Sequence, residues 1–310
     1  MSKPLSRRAL LRDAAAGAAA LVLPGMLAAR PGGRSLAVPS PEPELERLIR
    51  WVAAVRKDGL IGSGVPLGRS AVRVGELAGG APYQPATLET YLRAGGNPSA
   101  EPLTLSLRHF DCVTLVESCL AVARLAGEDA DPTWERFGRE IERMRYRGGE
   151  RGGYATRLHY FSEWIADGER RGLVRDLGAD LAGVEDRRPL RFMTEHRGSY
   201  PALADEEVFH EIGTIEQRLD QRPRLVVPTA RIPEVMDRIE TGDVLAFATA
   251  IPGLDVSHAA FAYRDQAGVL RVLHAPLSGG VVEITRKTLP AYVAAIRRAT
   301  GILVARPLRA

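Results

Sequence analysis

Apolar positions along the chain fall into two rhythms, and the change from one to the other divides it. Leu45, Leu48, Ile49, Val52 and Val55 recur at intervals of three and four, which predicts an amphipathic helix opening after the proline-rich stretch 39–43. Residues 59–104 carry so much glycine and proline that they read as loops, with a short helix over 87–93 and a strand over 103–107. From Val113 to Ala126 only Glu117 and Arg124 interrupt an apolar run. A helix apolar nearly all round is a buried central helix. The stretch 134–146 is amphipathic again, 147–153 breaks it, and 158–165 reads as a helix with Tyr160, Phe161 and Trp164 on one aromatic face. Residues 166–200 are charged and irregular. In the last third, short apolar or alternating runs at 243–249, 257–263, 269–274 and 281–284 are separated by Gly, Pro and Asp, which predicts antiparallel strands joined by hairpins. A helix near 289–298 and a strand at 301–306 close the chain. Helices first and a sheet afterwards predict an α+β fold, with an N-terminal helical and loop segment, 38–100, packed on a domain spanning 101–310.

Composition changes this picture little. The 310 residues are 45% hydrophobic and 26% charged, which excludes disorder and coiled coil as the main state. A formal charge of +4 without a basic block argues against a nucleic-acid binder, and the two Arg-Gly-Gly repeats at 147–153 read as a surface loop. The first residues are a different matter. Arg7-Arg8 precedes Ala14–Leu23, a weakly apolar run ending at Pro24, and this resembles a twin-arginine export signal cut after Ala37 or Ala29. Cutting after Ala37 removes Lys3, five arginines and Asp13, taking the formal charge from +4 to −1. The expected product is exported by the twin-arginine machinery, periplasmic or extracellular, and without stable membrane insertion.

Only two cysteines are present, Cys112 and Cys119. A helix over this stretch sets their Cα atoms about 10 Å apart, beyond the ~7 Å reach of a disulfide. Asp111 is a good N-cap, so Cys112 falls at the first helical position, where the backbone N–H groups and helix dipole stabilise a thiolate and can receive an oxyanion. Cys119, two turns along, reads as core.

A cysteine nucleophile needs a base and a group to orient that base. Among six histidines, His258 and His274 lie on the two strands of a predicted hairpin around a turn at 264–268. If Tyr263 pairs with Val269, the two histidines are direct cross-strand neighbours on one face. One as base and the other as orienter is a reading with a mechanism; a two-histidine zinc site completed by Asp255 or Cys112, and plain packing, remain as alternatives. His109, His159, His196 and His210 stand in segments whose sequence offers no convergent catalytic group, and each alone reads as a surface or satisfied core histidine. No phosphate-binding loop, dinucleotide fingerprint, H-E-x-x-H or G-x-S-x-G occurs.

Several ordered motifs then resemble one family: Gly80-Ala-Pro-Tyr83, Thr87-Leu-Glu89, Phe110-Asp-Cys-Val-Thr-Leu-Val-Glu117, Arg157-Leu-His-Tyr-Phe-Ser-Glu-Trp-Ile165, Ala230-Arg-Ile-Pro233, Gly242-Asp-Val-Leu-Ala-Phe247, Gly253-Leu-Asp-Val-Ser-His258 and Leu273-His-Ala275. Over about 45–306 they resemble the DUF1460 branch of the NlpC/P60 cysteine peptidases. The resemblance implies a papain-like fold, a central helix with the nucleophile packed on a small antiparallel sheet with the base. It also implies a peptidoglycan substrate and N-acetylmuramoyl-L-alanine amidase activity without a cofactor or metal. Carried over by motif, Cys112 is the nucleophile, His258 the base and His274 the orienter, while Tyr83, Asp111, Arg157, Tyr160 and Ser162 are expected near the cleft. Ala81 and Pro276 depart from the more usual Thr and Ser. The same fold family contains D-γ-glutamyl-diaminopimelate endopeptidases, and a catalytically silent wall-binding module is the rival from another class.

Overall fold

A computed structural model describes residues 42–276 and 280–309. The export segment expected over residues 1–37 lies outside the described residues. Seven helices of at least seven residues occur: α1 (Glu44–Lys57), α2 (Leu67–Leu77), α3 (Cys112–Ala126), α4 (Trp134–Arg145), α5 (Phe161–Arg170), α6 (Glu206–Leu219) and α7 (Leu289–Ala295) among the described residues. Eight strands, β1 (Val174–Asp176), β2 (Val184–Asp186), β3 (Arg224–Pro228), β4 (Val244–Thr249), β5 (Val256–Arg264), β6 (Leu270–His274), β7 (Glu283–Ile284) and β8 (Ala299–Pro307), form one sheet.

The sheet is antiparallel throughout, in the order β2-β3-β8-β4-β5-β6-β7. β1 shares the outer edge of β8 with β3, β3 pairing near its start and β1 near its end. Period-two alternation fills two separate cores. Val244, Ala246, Ala259, Phe261, Leu273 and Leu303 face the layer of α1 to α5, while Leu245, Phe247, Ala260, Ala262, Val272 and Ile302 face α7 and the turns before β4. A third cluster gathers Tyr154, Tyr160, Phe192, Leu203, Ile212 and Ile251 around α6. Helices on both sides of an antiparallel sheet make a mixed fold consistent with the expected α+β class.

α3 is the hub. Every residue from Thr114 to Ala126 is buried, and α3 packs against α1, α2, α4 and β5. Its two charges are matched inside: Glu117 accepts from Arg145 Nε at 2.8 Å, and Arg124 reaches the Leu173 carbonyl at 3.2 Å with Glu140 at 3.8 Å. Burial raises the Glu117 carboxyl and the Arg145 guanidinium opposes it. On α1 the buried stripe is Leu48, Trp51, Val52 and Val55, whereas Leu45 and Ile49 are exposed.

Several expectations need correction, the first being that residues 166–200, read as irregular, contain β1 and β2, which join the sheet. The loop region 59–104 contains α2, whose glycines serve packing: a Cβ on Gly68 would lie 2.7 Å from the Gly242 carbonyl oxygen, and one on Gly75 2.7 Å from Leu273. No strand forms over 103–107, because side chains take its backbone groups: Glu44 accepts from Leu107 N–H at 2.7 Å, and Arg145 donates to the Thr104 carbonyl at 2.6 Å. The helix expected over 158–165 begins at Phe161 and runs on to Arg170. Its first turn receives the Asp255 carboxylate, which accepts from Ser162 N–H at 2.8 Å.

Candidate active site

Cys112 is the first residue of α3, half-buried and outside any disulfide. Asp111 and Thr114 close a reciprocal cap before it. Asp111 Oδ1 accepts from Thr114 N–H at 2.8 Å, and Thr114 Oγ1 accepts from Asp111 N–H at 2.9 Å. The cap fixes the helix start, where the first backbone N–H groups of a helix lie beyond the reach of its own carbonyls. Cys119 is buried and its thiol is pushed well up by burial, the environment of an inert core cysteine.

The segment around Tyr83 is sewn between the approach to Cys112 and the β7 edge. Gln84 N–H donates to the Phe110 carbonyl at 2.9 Å, Phe110 N–H to the Pro82 carbonyl at 3.1 Å, and Tyr83 N–H to the Gly280 carbonyl at 2.7 Å. Tyr83 therefore stands beside the loop that delivers Cys112.

His258 and His274 meet, by a register different from the expected one. Tyr263 pairs with Arg271, not Val269, because Asp265 leaves the strand and caps a five-residue loop, its carboxylate accepting from Ala267 N–H at 3.0 Å and Val269 N–H at 2.9 Å. The slip is two residues, so the histidines become diagonal neighbours and keep the same face. Their rings touch: His258 Nε2 and His274 Nδ1 are 2.8 Å apart. Phe247 stacks on His258 with centroids 5.7 Å apart. His258 Nδ1 and His274 Nε2 are buried and have no hydrogen-bond partner among the described residues. Burial, and for His258 also the neighbouring His274, pushes both imidazoles down, His274 to about 4 and His258 well below its ordinary value. Both are neutral near pH 7.

Two further groups escape sequence reasoning. Tyr292 of α7 places its hydroxyl 3.2 Å from His274 Nδ1 and lies within electrostatic range of Cys112. Glu283 pairs with His274 in the β6–β7 register, its Oε1 3.8 Å from His274 Nε2. Strand pairing beyond His274 is the one signal for Glu283; nothing in the sequence links Tyr292 to the hairpin. Thus His258, His274 and Tyr292 are in contact, with Cys112 within electrostatic range of Tyr292.

The remaining expected residues bind inside the protein. Arg157 is buried, 3.2 Å from Glu89 and 3.6 Å from Glu101, with its guanidinium 4.8 Å from the Tyr154 ring centroid. Tyr160 donates its hydroxyl to Glu216 at 2.6 Å in the third core. Ser162 holds Asp255, whose carboxyl burial raises against the hydrogen bonds from Ser162 and Val256. Asp255 thus has both carboxylate oxygens engaged by backbone N–H groups. Among the described residues no three His, Cys, Asp or Glu side chains converge as a metal cage.

Comparison with known proteins gives this arrangement a lineage. The chain is similar to a solved N-acetylmuramoyl-L-alanine amidase from Bacteroides uniformis, 29% identical, with a TM-score of 0.70 over 78% of this chain and 99% of that one. It is similar also to a Bacteroides fragilis protein described as a xylanase, 31% identical, TM-score 0.68, covering 75% of this chain and 99% of that one. A Legionella pneumophila protein of the DUF1460 family shares the fold at 16% identity and a TM-score of 0.61, over 85% of this chain and 94% of that one. None of the curated proteins matches significantly. The model of the AmiA-like, N-acetylmuramoyl-L-alanine amidase-like family matches residues 73–302, a span that holds Cys112, both paired histidines and Tyr292, and the chain belongs to that family.

Proposed function

We propose that this chain is an exported peptidoglycan hydrolase of papain-like, NlpC/P60 type. It cuts the amide between the lactyl group of N-acetylmuramic acid and L-Ala through Cys112, His258 and His274. The observation that carries the reading is the buried imidazole pair, His258 Nε2 to His274 Nδ1 at 2.8 Å, which leaves His258 Nδ1 buried with no hydrogen-bond partner among the described residues.

The chemistry follows from those atoms. As the Cys112 sulfur attacks the amide carbon, its proton passes to His258 Nδ1, and the carbonyl oxygen becomes an oxyanion met by N–H groups at the start of α3. Collapse breaks the C–N bond, and the proton on His258 Nδ1 goes to the leaving L-Ala nitrogen. Water, losing a proton to His258 Nδ1, attacks the thioester carbon; the C–S bond breaks, and that proton passes back to the Cys112 sulfur as the lactyl carboxylate leaves. Tyr83 lines the cleft beside Cys112. Asp111, Arg157, Tyr160 and Ser162 support its walls rather than touching the substrate.

The xylanase name of one relative points to another reaction, which needs two carboxyl groups facing each other across the sugar at about 5–9.5 Å. Here Asp111 is engaged by the helix cap and Asp255 by Ser162 and Val256, which leaves Glu283, 3.8 Å from His274 Nε2, without a second uncommitted carboxyl among these site residues to pair with. Mass analysis of products from purified muropeptides decides between bonds. Peptides beginning with L-Ala and peptide-free muramic acid are expected, with inhibition by iodoacetamide and none by EDTA. Fragments cut between D-Glu and diaminopimelate would reassign the bond, and EDTA inhibition reversed by zinc would replace the cysteine mechanism.

A further inference from the structure

Tyr292 plays no part in the mechanism above, yet its hydroxyl approaches the same nitrogen that His258 does. His274 Nδ1 has His258 Nε2 at 2.8 Å and Tyr292 Oη at 3.2 Å. The tyrosine ring is held between Phe247 and His274, with centroids 5.4 Å and 5.1 Å away.

A neutral imidazole has one N–H and one lone pair, so two proton arrangements fit this contact. In one, His274 carries its proton on Nε2, and its Nδ1 lone pair receives the His258 Nε2–H. His258 Nδ1 is then an open lone pair. In the other, His274 Nδ1–H donates to His258 Nε2, and the His258 proton sits on Nδ1, where it blocks proton transfer from a thiol. Only the first makes His258 a base.

Both neighbours of His274 select the first arrangement. A phenol is a much better donor than acceptor towards imidazole, and burial, with Cys112 and Glu283 nearby, keeps the Tyr292 proton in place. Its O–H therefore shares the single His274 Nδ1 lone pair with the His258 Nε2–H in a three-centre contact, the phenol being the longer arm at 3.2 Å against 2.8 Å. On the opposite side Glu283 Oε1 is 3.8 Å from His274 Nε2, too far for a hydrogen bond but close enough for its charge to favour a proton there.

We propose that Tyr292 is a positioning residue that donates to His274 Nδ1, holding His274 in the Nε2–H tautomer and so keeping His258 Nδ1 open as the base, with the Glu283 carboxylate acting in the same sense. The catalytic consequence rests on the cysteine-amidase reading; the tautomer does not.

The test therefore has two arms. Nitrogen-15 NMR of the imidazoles in Cys112→Ala protein at neutral pH should show His274 protonated on Nε2 and His258 on Nε2. Adding Tyr292→Phe should transfer a measurable fraction of His258 to the Nδ1–H form, and Glu283→Gln, a separate variant should the first not fold, should do so as well. In active protein Tyr292→Phe should lower kcat by about 10-fold with KM nearly unchanged, less than the ~10²–10⁴-fold expected for removing the base. In a His274→Ala background it should add less than about twofold, because its effect passes through His274. Unchanged tautomers in both variants, or the same fold-loss with and without His274, would overturn the proposal. A wild-type protein that cleaves no muropeptide would defeat the amidase reading while leaving the NMR result to decide this one.

Discussion

A histidine that titrates near neutrality in water is held neutral well below that here, and the cost of doing so is visible to folding. His274 is pushed down to about 4 by burial and His258 moves the same way. Between pH 6.5 and 4 the unfolded chain binds a proton at each site that the folded chain refuses, so stability is complete above about 6.5 and falls as pH drops towards 4. For His274 this is on the order of 3 kcal/mol. Glu117 and Asp255, raised by burial, act in the opposite direction, so the effect is read as a difference between proteins. Urea unfolding of His274→Asn should show a flatter loss of stability from pH 7 to 4.5 than the wild type; equal slopes would mean that His274 is not held neutral. The pairing of these histidines is legible from the hairpin even though its register differs from the expected one. A slip of two residues preserves the face, and imidazoles reach a diagonal partner as well as a direct one. Tyr292 is not legible, because α7 meets the hairpin only through the fold of the whole sheet.

Elements whose burial follows a regular period can be read from the chain, and those built on close backbone contact cannot. α3 and the strands β4, β5, β6 and β8 announce themselves by continuous or alternating apolar residues. α2 does not, since Gly68 and Gly75 look like helix breakers until the neighbours they admit are known. The partner of Gly68 is Gly242, at the entrance to β4, where φ is +91° and an added Cβ would lie only 2.1 Å from the Gly68 backbone. Gly242→Ala thus meets both conformational strain and overpacking and should destabilise by about 3 kcal/mol. Gly62→Ala is its control: φ is +89° there but nothing lies within 4 Å, so about 1 kcal/mol is expected. Equal costs in denaturant titration would show that α2 does not depend on this approach.

Across the whole molecule the two cores on either side of the sheet follow from the strand alternation, whereas the third cluster around α6 does not emerge from the pattern. Its members come from short turns at Tyr154–Thr156, Phe192–Glu195 and Pro201–Ala204 as well as α6, and none of those turns is long enough to show a period. That cluster still matters to the site: Arg191 and Phe192 N–H groups hold the Gly253 carbonyl at 3.1 and 3.0 Å, anchoring the approach to β5 and His258. The helices and the sheet thus set the capped start of α3 within electrostatic range of Tyr292, which touches the buried imidazole pair, the arrangement on which the proposed cysteine mechanism draws. The most direct measurement is hydrolysis of a purified muropeptide by Cys112→Ala beside Cys119→Ala, with folding of each checked by circular dichroism. Complete loss in Cys112→Ala and near wild-type rates in Cys119→Ala are predicted; a folded Cys112→Ala protein that still cleaves would contradict the cysteine mechanism.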